Sequence, residues 1–154
     1  MQDKIGWIGL GSMGNRMAKN LAKNGYQMLV TDKMDTSAAP QSAHVATTNS
    51  EVISEANILI LSIPAGPDTL EITQEILNSP SSSVEIVIDT STIGIPDAKQ
   101  AAELLSKKGI EYVDAPVSGG IAGADSATLA VMVGCKENIF KRIQPILKCI
   151  GANI

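Results

Sequence analysis

The sequence predicts an α/β fold: a Rossmann-type topology in which a doubly wound, mostly parallel sheet carries helices on both faces. Three observations predict it. Short aliphatic runs such as Ile58-Leu59-Ile60-Leu61 alternate along the chain with stretches of helical periodicity. Those runs lack polar alternation, as strands buried on both faces require. Aromatic residues are only 3% of the 154 while 44% are hydrophobic, so the core is built from aliphatic side chains. A chain of this length fits a single domain over residues 1–154.

The elements follow in order. Ile5 to Leu10 reads as a first strand, and Ser12 to Asn24 as a helix with Met13, Met17 and Leu21 on one face and Gly25 past its end. Gln27 to Thr31 is a second strand. Asp35 to Val45 is polar and irregular, and Ser50 to Glu55 reads as a short helix. Ile58 to Ile63 is a strand stopped by Pro64-Ala65-Gly66-Pro67, and Asp68 to Leu77 a helix with Leu70, Gln74 and Leu77 on one side. Val84 to Ile88 is a further strand. The next helix has Pro96 and Asp97 in its first turn, Lys107 and Lys108 near its end, and Gly109 as terminator. Glu111 to Asp114 and Leu129 to Val133 are strands, Asn138 to Leu147 is amphipathic, and Cys149 to Ile154 reads as the approach to another strand.

Composition excludes some functions. Net charge is −4, and no stretch clusters Lys or Arg into the basic patch that nucleic-acid binding needs. No apolar run has membrane-spanning length. Cys135 and Cys149 have no metal-ligand spacing; a disulfide between them is the alternative, but a domain of this size does not need one, and two reduced, buried thiols are the expectation. The start of the chain has neither a secretory apolar region nor an Arg-rich transit sequence, so a cytoplasmic location is expected, with a processed organellar one as alternative.

The chemistry centres on Gly9-Leu10-Gly11-Ser12-Met13-Gly14. Alone, G-x-G-x-x-G is a common strand-to-helix turn. Here it follows an aliphatic strand, opens an amphipathic helix, and has an acid, Asp32, after the second strand. The first glycine permits the tight turn, the second lets the backbone approach a diphosphate, and the third lets helix and strand pack closely. Asp32 would accept from the ribose hydroxyls of a dinucleotide and repel a 2′-phosphate, which favours NAD, with NADP the alternative that neighbouring Lys33 keeps open. Arg16 reads as a surface residue.

Ligands of open α/β sheets sit beyond the carboxyl ends of the strands. Ile63-Pro64 and Thr90-Ser91-Thr92 are therefore candidate contacts, although Pro also ends strands and Ser/Thr also cap helices. Asp114-Ala115-Pro116-Val117-Ser118-Gly119-Gly120 offers a hydroxyl and open amides suited to a carboxylate, or simply a glycine turn feeding the next helix. The one histidine, His44, lies in the irregular segment and reads as a surface residue, so no acid–base relay can be assembled.

Ile8 to Gly14, continuing through Met17-Ala18-Lys19-Asn20-Leu21, resembles the N-terminal signature of the β-hydroxyacid dehydrogenases. Asp114 to Gly120, followed by Gly123-Ala124, is similar to that family's substrate motif, and Asp89-Thr90-Ser91-Thr92 to its nicotinamide-side loop. The resemblance implies hydride transfer between NAD or NADP and a small β-hydroxyacid of the 3-hydroxyisobutyrate or tartronate semialdehyde type. By matching positions it implies cofactor contacts from Gly9, Leu10, Gly11, Ser12, Met13, Gly14, Asp32, Ile63, Pro64, Asp68 and Thr92. Ser118, Gly119 and Gly120 would hold the substrate carboxylate. It also implies a catalytic lysine in a later, all-helical domain that this chain does not contain, so this chain alone is expected to be inert and the full-length protein a homo-oligomer. A non-catalytic dinucleotide-binding or protein-interaction module of the same fold is the alternative.

Overall fold

The computed structural model describes residues 3–154. Six strands form one parallel sheet: β1 (Ile5–Ile8), β2 (Met28–Thr31), β3 (His44–Val45), β4 (Ile58–Leu61), β5 (Ile86–Asp89) and β6 (Glu111–Asp114), in the order β3-β2-β1-β4-β5-β6. The chain winds outward from β1 in one direction and then from β4 in the other, so strand order reverses between β1 and β4. That reversal leaves a crevice at their carboxyl ends. The remaining strands, β7 (Val117–Ser118), β8 (Leu129–Val131) and β9 (Gly151–Asn153), form a small sheet, antiparallel at β7/β8 and parallel at β8/β9.

The alternation along β4 shows why both faces need helices. Ile58 and Ile60 enter a core shared with Trp7, Met17, Leu21 and Ile143, while Leu59 and Leu61 enter the opposite one with Val52, Ile53, Ile72 and Leu105. The first face is covered by α1 (Gly14–Lys23), α5 (Gly120–Ser126) and α6 (Glu137–Leu147), the second by α2 (Asn49–Glu55), α3 (Gly66–Asn78) and α4 (Ile95–Ser106). Helix α2 starts at a reciprocal cap: Thr48 accepts from the Glu51 N–H, and the Glu51 carboxylate accepts from the Thr47 N–H. Gly25 and Gly109, both at positive φ, end α1 and α4 at the expected places.

Several expectations are corrected. The strands at Ile5 and Ile58 stop at Ile8 and Leu61, so Gly9, Leu10, Ser62 and Ile63 belong to loops. The buried side of α3 is Gly66, Thr69, Ile72, Thr73 and Ile76, not Leu70, Gln74 and Leu77. The two threonines can face inward because Thr69 donates to a buried carboxylate and Thr73 to the Thr69 carbonyl. Cys149 is buried but Cys135 is exposed. Part of the irregular 35–45 segment is β3, a two-residue edge strand too short to show a period, on which His44 stands exposed, 3.9 Å from Glu51.

Candidate functional site

A cleft of about 1280 Å³ opens at the carboxyl ends of β1 and β4, where the strand order reverses. Its floor is the Gly9–Gly14 turn. One end is walled by Asp32–Asp35, Thr47–Asn49 and α3, the other by Thr90–Thr92 and Val117.

The glycines of the turn do three different things. Gly9 sits at φ +103, and a Cβ there would lie 2.0 Å from the Ser62 carbonyl oxygen. A Cβ on Gly14 would lie 2.1 Å from the Gly9 carbonyl oxygen, so this glycine brings α1 down onto the strand. Gly11 is exposed, and a Cβ there would meet no protein atom within 4 Å. The space above it belongs to the cleft. Around it the N–H groups of Gly11, Ser12, Met13 and Gly14 have no acceptor among the described residues. Four open donors at a helix N-terminus, facing space that a side chain would fill, fit a diphosphate. The turn is braced from below by the indole N–H of buried Trp7, which donates to the Gly9 carbonyl at 2.8 Å.

Asp32 is fixed in place. Its Oδ2 accepts from the Leu10 N–H at 2.6 Å, and its Oδ1 from the N–H groups of Met34 and Asp35 at 2.7 and 3.1 Å. Partial burial pushes the carboxyl up, but the three N–H bonds outweigh it and hold the group below its ordinary value. A carboxylate has about four acceptor sites, so one remains for a ligand hydroxyl. Lys33, beside it, is exposed.

Every residue expected to contact the cofactor lines this cleft: Gly9 to Gly14, Asp32, Ile63, Pro64, Asp68 and Thr92. Ser118, Gly119 and Gly120 do not. They form the exposed end of β7 and the start of α5, with Gly119 and Gly120 at φ +136 and +65, next to cleft-lining Val117. Arg16, read as a plain surface residue, lines the cleft. Its Nη1 donates to the Ser12 carbonyl, and its Nε pairs by charge with Asp125 on α5 at 2.8 Å without hydrogen-bond alignment. Asp125 lies far along the sequence, so no local signal marks this pairing. The sequence also does not mark Met34, Thr47, Asn49, Glu71 and Glu75, which line the cleft from elements with no motif. Among cleft-lining residues the one lysine is Lys33, at the Asp32 end.

Residues 4–154 match the family model described as the NAD binding domain of 6-phosphogluconate dehydrogenase. The chain belongs to this family. It is similar to 2-(hydroxymethyl)glutarate dehydrogenase of Eubacterium barkeri, at 38% identity over 98% of this chain and 52% of that protein. It is also similar to mitochondrial 3-hydroxyisobutyrate dehydrogenase of Rattus norvegicus, at 37% identity over 97% of this chain and 46% of that protein. Among solved structures, the 3-hydroxyisobutyrate dehydrogenase of Mycobacterium tuberculosis, determined with L-serine, superposes with a TM-score of 0.91 at 34% identity, covering all of this chain and 54% of that one. The chain thus spans about half the length of the curated relatives it matches. No helix among the described residues is long and apolar enough to cross a membrane.

Proposed function

We propose that this chain serves as the cofactor-binding half of an enzyme that passes hydride between a nicotinamide and a small β-hydroxyacid of the 3-hydroxyisobutyrate or tartronate semialdehyde type. The observation that carries the reading is the row of four unpaired N–H groups from Gly11 to Gly14, opposite a carboxylate already oriented at Asp32. In this reading the bound nicotinamide supplies the hydride acceptor or donor. The residues of the chain do the rest. Gly11 to Gly14 hold the diphosphate, and Asp32 takes a ribose hydroxyl with its remaining acceptor site. Ile63, Pro64, Asp68 and Thr92 line the remainder of the cofactor's path, while Ser118, Gly119 and Gly120 anchor the substrate carboxylate beside Val117.

The names of the relatives support a small acid as substrate, since those proteins are dehydrogenases of hydroxyacids. The nicotinamide end of the cleft is lined by Thr90, Ser91, Thr92 and Val117, and Lys33 stands at the far end. None of these side chains is suited to take up the hydroxyl proton, so we assign that proton to a lysine in the other half of a full-length homo-oligomer. A cytoplasmic location accompanies this reading, with the mitochondrial matrix as alternative because relatives such as the rat enzyme are mitochondrial.

Asp32 also decides the cofactor. Both of its oxygens are held by main-chain donors, so it cannot swing aside for a 2′-phosphate. NAD should bind more tightly than NADP, and Asp32→Asn should narrow that preference by about tenfold, the scale of one charge-assisted contact. Calorimetric titration of the chain and the variant with both nucleotides tests this. A wild-type preference for NADP overturns the Asp32 assignment, and absence of binding to either overturns the proposed function.

A further inference from the structure

Asp89 lies at the end of β5 and is 0% exposed, and it does not itself line the cleft. Its surroundings are unusually complete for a buried carboxylate. Oδ2 accepts from the Thr69 hydroxyl on α3 at 2.7 Å and from the Tyr112 hydroxyl on β6 at 3.0 Å. Oδ1 accepts from the Ser91 N–H at 3.0 Å. Three of its about four acceptor sites are thus occupied, and a polar group is tolerated in the interior when it is hydrogen-bonded in this way.

The contacts continue outward to the cleft. The Ser91 hydroxyl accepts from the Ile63 N–H at 2.9 Å, and the Thr90 hydroxyl donates to the Leu61 carbonyl at 2.7 Å. Ile63 and Ser91 belong to different loops, and both line the cleft. Beyond the last rung of the β4/β5 ladder, therefore, the two loops are joined by side chains, and the joining begins at Asp89.

On the basis of the proposed NAD site, we infer that Asp89 is a positioning residue: anchored by Thr69 and Tyr112, it orients Ser91 so that the 62–64 and 90–92 loops form one rigid wall at the nicotinamide end of the cleft. The Gly9–Gly14 turn and Asp32 have no hydrogen bond to this network; the turn meets the 62–64 loop through the packing of Gly9 and Gly14 on Ser62, so the adenine and diphosphate end depends on the network less than the nicotinamide end does. Charge is not what the wall needs. An asparagine at position 89 would still accept the Ser91 N–H and would donate to the two hydroxyls, which can turn to accept.

The test uses this chain with three variants, Asp89→Ala, Asp89→Asn and the milder, isosteric Thr69→Val, which leaves Asp89 in place if Asp89→Ala does not fold. Affinities for NAD and for ADP are measured by calorimetry, and exchange of the Ile63 and Ser91 amides by NMR. Asp89→Ala should lose about tenfold in NAD affinity, the worth of one hydrogen bond to a charged group, and Thr69→Val a smaller part of that. ADP affinity should fall less than NAD affinity, because neither the Gly9–Gly14 turn nor Asp32 has a hydrogen bond to the network. Asp89→Asn should restore NAD binding. In both Asp89→Ala and Thr69→Val, the Ile63 and Ser91 amides should lose protection together. Equal losses for NAD and ADP would make the network a mere stability element and overturn the inference. So would unchanged NAD affinity, or an Ile63 amide that keeps its protection when Ser91 loses it. If the unmodified chain binds ADP but not NAD, the proposed function fails; the amide exchange then still decides whether Asp89 couples the loops.

Discussion

At the scale of single residues, the glycine turn separates folding from binding. Gly14→Ala forces a Cβ against a main-chain oxygen that cannot move away, and should destabilise the chain by more than about 2 kcal/mol. Gly11→Ala adds the same methyl group to open space. Its stability should stay within about 0.5 kcal/mol of wild type, while NAD affinity falls by more than about tenfold because the methyl occupies the ligand's place. Urea unfolding and calorimetry on the two variants distinguish the effects. Two acids should give pH dependences of opposite sign. Asp32 is held below the ordinary 3.8, so its contribution is complete above pH 3.8 and is lost as pH falls through the lower folded value. Asp32→Asn should flatten the acid limb of the stability curve. Asp114 is raised by burial and by Asp89, its partner across the β5/β6 ladder. Its contribution is complete below pH 3.8 and is lost as pH rises through the higher folded value, so Asp114→Asn should be relatively more stable at neutral pH than in acid. Both follow from urea midpoints taken across the acid range.

At the scale of elements, α2 lies on the sheet because Gly6 has no side chain. A Cβ there would come within 2.6 Å of Val52 Cγ1 and 2.7 Å of Ala56 Cβ. Gly6→Ala should therefore cost about 1–3 kcal/mol by overpacking, with the N–H row of the turn still in place when the folded fraction is titrated with NAD. The same scale shows what could be read from the chain beforehand. The strand–turn–helix at Gly9–Gly14 and the place of Asp32 at the cleft were legible because the motif fixes residue types at a fixed spacing. The inward face of α3 was misassigned because threonine counts as polar until a buried partner such as Asp89 is known. The β7–β9 sheet was only partly legible, since β7 has two residues and β8 and β9 three each, too few to show an alternation. Arg16–Asp125 and Asn20 Nδ2 to the Ala124 carbonyl tie α1 to α5 across most of the sequence, and nothing local announces either.

At the scale of the whole molecule, ligand and fold are linked, because the N–H row exists only in the folded chain. NAD at about 100 times its dissociation constant should add about 2.7 kcal/mol, which for a chain of this size raises Tm by roughly 5–10 °C. NADP at the same concentration should raise it less. A thermal scan in which NAD leaves Tm unmoved would count against the site. The polar ties between α1 and α5 have a related meaning. They hold the helix that starts at Gly14 against the helix that starts at Gly120, so the proposed cofactor and substrate anchors sit on one rigid pair.

Trp7 is the sole tryptophan, fully buried, and its indole N–H reaches the Gly9 carbonyl. The protein thus carries its own fluorophore directly beneath the floor of the cleft. Under ultraviolet excitation its emission should respond when a nucleotide settles overhead, without any dye or engineered label.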